Sequence, residues 1–130
     1  MVPCNRKAAH AGKSTYKGVS GLNDYAIGIE VINIGPLTKK GDKFYDSYGR
    51  EWKGQVRERK GQGFQYWEPF TPQQEKACVE IAYYMNKVLG IQVEDMRSHY
   101  EVSPGRKNDP YGGFSMGDQE SFRNYLRTKF

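Results

Sequence analysis

Apolar and polar positions divide the chain into blocks of different period. From Asp24 to Ile34 (DYAIGIEVINI) apolar and β-branched residues run almost without interruption until Gly35-Pro36. Such a run predicts a buried strand. Between Pro72 and about Leu89 the period changes. Cys78, Ile81, Ala82, Met85, Val88 and Leu89 recur at three- and four-residue steps, the stripe of a helix that packs on a core. Thr71 is suited to cap that helix, Pro72 to its first turn and Gln74 to close a capping box, and Gly90 follows as terminator. A shorter helix is predicted from about Gly117 to Arg127, burying Phe122, Tyr125 and Leu126, with Ser115 and Asp118 as its capping pair. Residues 37–69 show no single period. Phe44, Tyr45, Tyr48, Trp52, Val56, Phe64, Tyr66 and Trp67 are spread among turn signals, as in one or two hairpins or a long excursion over a pocket. Residues 1–20 are basic and glycine-containing, an arm or loop. Together these elements predict an α+β class: a reduced central sheet, one long helix packed on it and a short C-terminal helix.

Composition sharpens the picture at a few points. A length of 130 residues suits one domain, spanning 1–130. Hydrophobic residues make up 37%, and mean hydropathy is −0.85. Ten tyrosines, six phenylalanines and two tryptophans nonetheless argue against disorder. Twenty Lys and Arg against fifteen Asp and Glu give a net charge of +5, which favours anionic partners without choosing one. Lys and Arg interleaved with aromatics also occur on single-stranded nucleic-acid platforms, but no RNP-like motif accompanies them, and nucleic acid is not the expected partner. No apolar stretch approaches a membrane span and residues 1–7 carry no apolar signal core, so the expectation is a soluble, cytoplasmic protein with no membrane partner. Cys4 and Cys78 lie far apart without a CxxC spacing and read as reduced thiols. Because the histidines are His10 and His99 alone, a three-histidine metal site is excluded.

Two places carry candidate chemistry. Glu30 falls inside the apolar run, and a carboxylate in a core strand is costly unless paired, metal-linked or facing a cavity. The segment His99-Tyr100-Glu101-Val102-Ser103-Pro104-Gly105-Arg106-Lys107-Asn108-Asp109-Pro110 gathers imidazole, cations and a carboxylate in a loop stiffened by prolines. Imidazole and carboxylate suit zinc, and a nearby lysine can stabilise an oxyanion. By spacing alone this is also compatible with an ordinary polar loop.

HYEVSPGRKNDP resembles the C-terminal zinc-ligand motif of the N-acetylmuramoyl-L-alanine amidases related to peptidoglycan recognition proteins. Three more stretches match in order: KAAHAGKSTYKG resembles the family's His-Ala-Gly loop, and LNDYAIGIEVIN its central strand with the site glutamate. GPLTKKGDKFYDSYGREWKG followed by FTPQQEKACVEIAYYMNKVLG resembles the insertion and helix of phage and bacterial members. The resemblance implies that His99 and Asp109 correspond to two of three zinc ligands, Lys107 to the lysine supporting the polarised carbonyl and Glu30 to the acidic residue beside the metal-bound water. In such enzymes the metal activates water for cleavage of the lactyl–alanine amide.

The family's first zinc-binding histidine lies on a strand upstream of the His-Ala-Gly loop, close to where this sequence starts. His10 aligns with the loop histidine instead. The resemblance therefore implies an N-terminally shortened domain with an incomplete metal set, whose central strand lacks neighbours. Pairing between copies, giving a homo-oligomer, is the expected repair. The reading preferred on these grounds is a non-catalytic pocket protein of phage type, in the host cytoplasm. It would sequester a small anionic ligand, a muropeptide or a nucleotide-type signal, with His10, Lys13, His99, Arg106 and Lys107 around it and Arg6 nearby. The alternative is an active zinc amidase with the missing ligand supplied by His10, Cys4 or a partner chain.

Overall fold

The computed structural model describes residues 2–3 and 5–130. The fold is α+β. After a small hairpin, β1 (Thr15–Tyr16) with β2 (Val19–Ser20), a five-stranded antiparallel sheet occupies the aromatic stretch: β3 (Pro36–Lys40), β4 (Lys43–Tyr45), β5 (Glu51–Trp52), β6 (Arg57–Gly61) and β7 (Phe64–Trp67), in the order β5-β4-β3-β7-β6. Helices α1 (Pro72–Lys87), α2 (His99–Val102) and α3 (Gln119–Lys129) follow.

Local chemistry accounts for these elements. Gly61 pairs with Phe64, leaving Gln62 and Gly63 as a two-residue turn, and both have positive φ (52° and 82°). That combination matches the right-handed twist of the flanking strands. Between β4 and β5, the buried Asp46 side chain accepts hydrogen bonds from the Tyr48 and Arg50 backbone and from Arg50 Nε. On α1, Thr71 and Gln74 form the complete capping box, and Gly90 turns the chain away at φ 71°. Asp118 caps α3 by accepting from the Ser121 backbone. Ser115, expected to share that cap, instead donates from its backbone and hydroxyl to Glu75 on α1.

One face of the sheet is fastened to the loop that follows Asp109. Trp67 is buried against Tyr111, and a Cβ on Gly112 or Gly113 would fall inside the rings of Trp67 and Phe70. Arg57 donates to the Gly112 and Gly113 carbonyls, and Arg59 to those of Tyr111, Phe114 and Gly117. Below lies the main core of Phe70, Ala82, Val93, Phe114, Phe122 and Leu126, with Phe114 and Phe122 stacked at 4.4 Å. A second cluster, Ala11, Leu22 and Val102, sits beneath the candidate site.

The strand expected over 24–34 does not form. Residues 26–35 carry neither ladder nor helix, and Tyr25, Ile27, Ile29 and Ile32 are exposed, Ile32 at 86%. Glu30 is therefore exposed as well, rather than buried in a core strand. The physical reason is that an apolar strand is stable only with ladder partners on its edges, and no described strand pairs with it. The sheet is built instead from the insertion at 36–67. Helix α1 shows the same deficit. Ala82 is buried and Cys78 and Val79 pack on the core, but Ile81, Tyr84 and Val88 form an exposed stripe. Tyr125 of α3, expected inside, is also exposed. No helix among the described residues is long and apolar enough to cross a membrane.

Candidate functional site

The site starts from α2, a single turn that holds His99 at its first residue. Ser98 caps it, accepting from the Glu101 backbone, while the Glu101 carboxylate accepts from the Ser98 backbone and hydroxyl. Glu101 is in turn clasped by Arg123 of α3, Nη1 to Oε1 at 2.9 Å and Nη2 to Oε2 at 2.7 Å. Arg123, only 2% exposed, also donates to the Met96 carbonyl and to Glu120. Burial works to raise the Glu101 carboxyl, but the hydrogen bonds from Arg123 and Ser98 outweigh it and hold the group below the usual glutamate range. The Glu101 carboxylate first, and Glu120 after it, raise Arg123 above its ordinary value against the opposing effect of burial. Burial pushes the Tyr100 hydroxyl up, and its oxygen accepts from the Gln119 backbone. These ties fasten α2 to α3.

The Tyr100 N–H donates to the Asp109 carbonyl at 3.2 Å, closing the intervening loop so that its two ends meet. His99 Nδ1 then lies 3.1 Å from Asp109 Oδ2. Its Nε2 lies 3.1 Å from the Ala11 carbonyl. The loop carrying Ala11 is itself gathered by Asn23, whose Oδ1 accepts from the backbone of His10, Ala11 and Gly12 at 2.9, 2.7 and 3.4 Å. Three consecutive N–H groups around one oxygen make a small cradle of fixed positive dipole.

The other expected site residues divide sharply. Arg106 is tied down: Nη2 donates to the Ala11 carbonyl at 2.6 Å and to Ser103 Oγ, and Nε donates to the Lys13 carbonyl. Its guanidinium works as a brace between loops. Lys13 and Lys107 are exposed, and among the described residues neither forms an ion pair. No hydrogen bond links His10 to His99 among the described residues. The His10 Nε2 contacts the Ala26 carbonyl at 2.9 Å, and its ring lies against Gly28, where a Cβ would overlap it. Glu30 has no hydrogen bond or salt bridge among the described residues and is not brought to the His99–Asp109 pair. Arg6 is exposed on a turn of the arm, and Cys4 lies outside the described residues. Burial, then the Glu75 carboxylate, raises the Cys78 thiol.

His99 and Asp109 are chemically suited to zinc, yet both nitrogens of His99 are engaged within the protein. No group of three His, Cys, Asp or Glu side chains among the described residues could hold a metal ion. The described donors alone do not fit a catalytic zinc, which takes three protein ligands and an open position.

An α+β scaffold offering an adjacent histidine and aspartate from one loop, braced from the His-Ala-Gly segment, defines an amidase-like domain. The chain belongs to the N-acetylmuramoyl-L-alanine amidase family, whose model matches residues 1–112. It is 32% identical over 110 residues to N-acetylmuramoyl-L-alanine amidase AmiD of Escherichia coli (strain K12), covering 85% of this chain and 32% of that protein. The chain thus spans about a third of the length of that curated relative. No solved structure matches it significantly.

Asn23, Glu101, Ser103 and Arg123 are the supporting residues that reading the sequence misses. The Ser-x-x-Glu spacing at 98–101 signals the cap of α2. Nothing local points to Arg123, which reaches Glu101 across 22 positions.

Proposed function

We propose that the chain takes part in N-acetylmuramoyl-L-alanine amidase chemistry, hydrolysis of the lactyl–L-alanine amide of peptidoglycan. His99 and Asp109 are two metal donors of an incomplete set, and a further donor comes from outside the described residues: Cys4, another segment or a second chain. The observation that carries this reading is the 3.1 Å approach of His99 to Asp109, made by a loop and a capped turn braced by buried Arg123. A polar loop without a role has no need of such bracing. Family membership supports the same chemistry.

Within this reading Lys107, exposed and unpaired among the described residues, is free to meet the substrate carbonyl. Glu30, equally free, is available to accept a proton once the 26–34 segment is brought against the loop. His10 is a poor choice for the further donor, since its ring is held on Gly28.

Purified chain, with and without added zinc, is incubated with peptidoglycan, and newly exposed alanine amines are counted while elemental analysis reports bound metal. Amine release that is lost in His99→Ala supports the reading. Protein that stays metal-free and leaves peptidoglycan intact, even when supplemented with the amino-terminal part of an active relative, overturns it.

A second reading, capture of a small anionic muropeptide or nucleotide-type ligand without cleavage, is favoured by the absence of a third donor among the described residues. The tethering of Arg106 weakens it by removing one cation from the proposed pocket. Calorimetric titration with a muropeptide separates the two: saturable heat without amine release favours capture.

A further inference from the structure

The antiparallel sheet carries a strip of side chains that the His99–Asp109 loop does not use. By register Lys39 lies opposite Phe44, Phe44 opposite Trp52 and Leu37 opposite Tyr66. One face therefore presents Trp52, Phe44, Lys39 and Tyr66 across β5, β4, β3 and β7, a row roughly 14 Å long at the usual strand separation. Trp67 and Arg57, which fasten the sheet to the loop after Asp109, fall on the opposite face by register. The three rings of the row are half-buried and Lys39 is exposed. Phe44 and Tyr66 meet edge-on at 5.1 Å. Trp52 is held in place: its Nε1 donates to the Gln55 carbonyl, and the indole occupies the space that a Cβ on Gly54 would take. Beside the row a shallow groove of about 540 Å³ opens between the turns at Gly41 and Gly63, with Leu37, Lys39, Phe64 and Tyr66 in its lining. That size suits a small ligand group.

Charge decides what such a strip can hold. Lys39 Nζ lies 5.9 Å from the centre of the Phe44 ring and 5.8 Å from that of Tyr66. Among the described residues it forms no ion pair. Glu58, opposite Tyr66, accepts from Gln65, while Lys43 and Lys53 both bridge to Glu51. One unpaired ammonium among three rings is a poor complement to nucleic acid, which calls for a track of unpaired cations. Rigid aromatic side chains give up little entropy on binding, and their flat faces match the C–H faces of pyranose rings. The lone ammonium adds a place for one carboxylate.

Hydrolysis of a lactyl–alanine amide adds water across the C–N bond, leaving a carboxylate on the lactyl group of the sugar and an ammonium on alanine. We propose that the strip binds the glycan strand so produced, with sugar rings on Trp52, Phe44 and Tyr66 and a lactyl carboxylate on Lys39. The source of that carboxylate rests on the amidase reading; the surface itself includes neither His99 nor Asp109.

Peptide-free glycan strands, prepared from peptidoglycan with an active amidase, are titrated calorimetrically into the purified chain. N-acetylglucosamine oligomers of matching length, which lack the lactyl carboxylate, and oligothymidylate serve as comparisons. Saturable binding of the peptide-free strand is expected, roughly fivefold tighter than the neutral oligomer, the upper value for an exposed ion pair. Lys39→Gln, at an exposed position, should abolish that preference while still binding the neutral oligomer. Trp52→Ala should weaken both sugars by about tenfold, with the far-ultraviolet circular dichroism spectrum unchanged. Wild-type protein that binds neither sugar overturns the proposal, and so does a preference that survives Lys39→Gln. Tighter binding of oligothymidylate than of the peptide-free strand also overturns it and assigns the strip to nucleic acid. Amine release from peptidoglycan is scored separately. A chain that releases none yet shows the Lys39-dependent preference keeps the surface and loses the amidase reading, whereas an active chain without the preference does the reverse.

Discussion

Arg123 and Glu101 show how far from the His99–Asp109 loop its geometry is held. The two side chains meet through paired N–H···O bonds at 2.9 and 2.7 Å, and Arg123 is almost wholly enclosed. Breaking such a pair leaves one charge uncompensated, so Arg123→Met is expected to lower stability by about 3 kcal/mol, the lower end for a buried pair because Glu101 retains some solvent. Urea unfolding followed by tryptophan fluorescence measures this. The depressed Glu101 carboxyl has a sign that can be worked out. Its folded-state value lies below the ordinary 4.5, so the native state binds its proton less readily than the unfolded chain. The stabilisation is present above about pH 4.5 and is lost as pH falls through the lower folded value. Wild type should therefore melt above Glu101→Gln at pH 7, with the gap narrowing as pH drops below 4.5. A gap independent of pH down to pH 2 would refute the linkage.

Helix α1 owes its position to its ends. Thr71 and Gln74 satisfy backbone groups reciprocally, and Gln74 also donates to the Ile32 carbonyl, tying the helix start to the unpaired segment. Thr71→Ala should cost about 1 kcal/mol, read as a lower denaturation midpoint with unchanged slope. The junction between the antiparallel sheet and the helices depends on backbone approach instead. Gly112 permits the loop after Asp109 to lie directly on Trp67. Gly112→Ala forces indole and loop apart and should cost roughly 1–3 kcal/mol, in the range of overpacked cores. Near-ultraviolet circular dichroism should change with it, since Trp67 and Tyr111 pack together there.

Over the whole molecule, stability concentrates in the cluster joining α1, α3 and the Phe70–Phe114 pair. Leu126 at its centre is completely buried. Leu126→Ala should cost about 2–5 kcal/mol and, because α3 also carries Arg123, should loosen the His99 turn along with the core. Faster hydrogen exchange at α2 as well as α3 is the expected signature. Protection lost from α3 alone would show that the two are not coupled. Away from this cluster, the 26–34 segment and the Ile81–Tyr84–Val88 stripe leave apolar surface open.

Elements governed by nearest neighbours were readable in advance. The capping box and glycine stop of α1, the Asp118 cap of α3 and the hairpin character of residues 37–69 each follow from side chains acting within a few positions of themselves. The meeting of His99 and Asp109 at 3.1 Å was legible through the resemblance of their segment to the amidase family. Other features required the folded chain. Whether DYAIGIEVINI is a strand depends on ladder partners that its own residues cannot supply, so an apolar pattern that reads as interior lies at the surface. Arg106 reads as a free cation and serves as a brace, because the carbonyls of Ala11 and Lys13 arrive from more than ninety positions away. Local periodicity records what a segment prefers, while burial and pairing are settled by surfaces contributed from elsewhere in the chain.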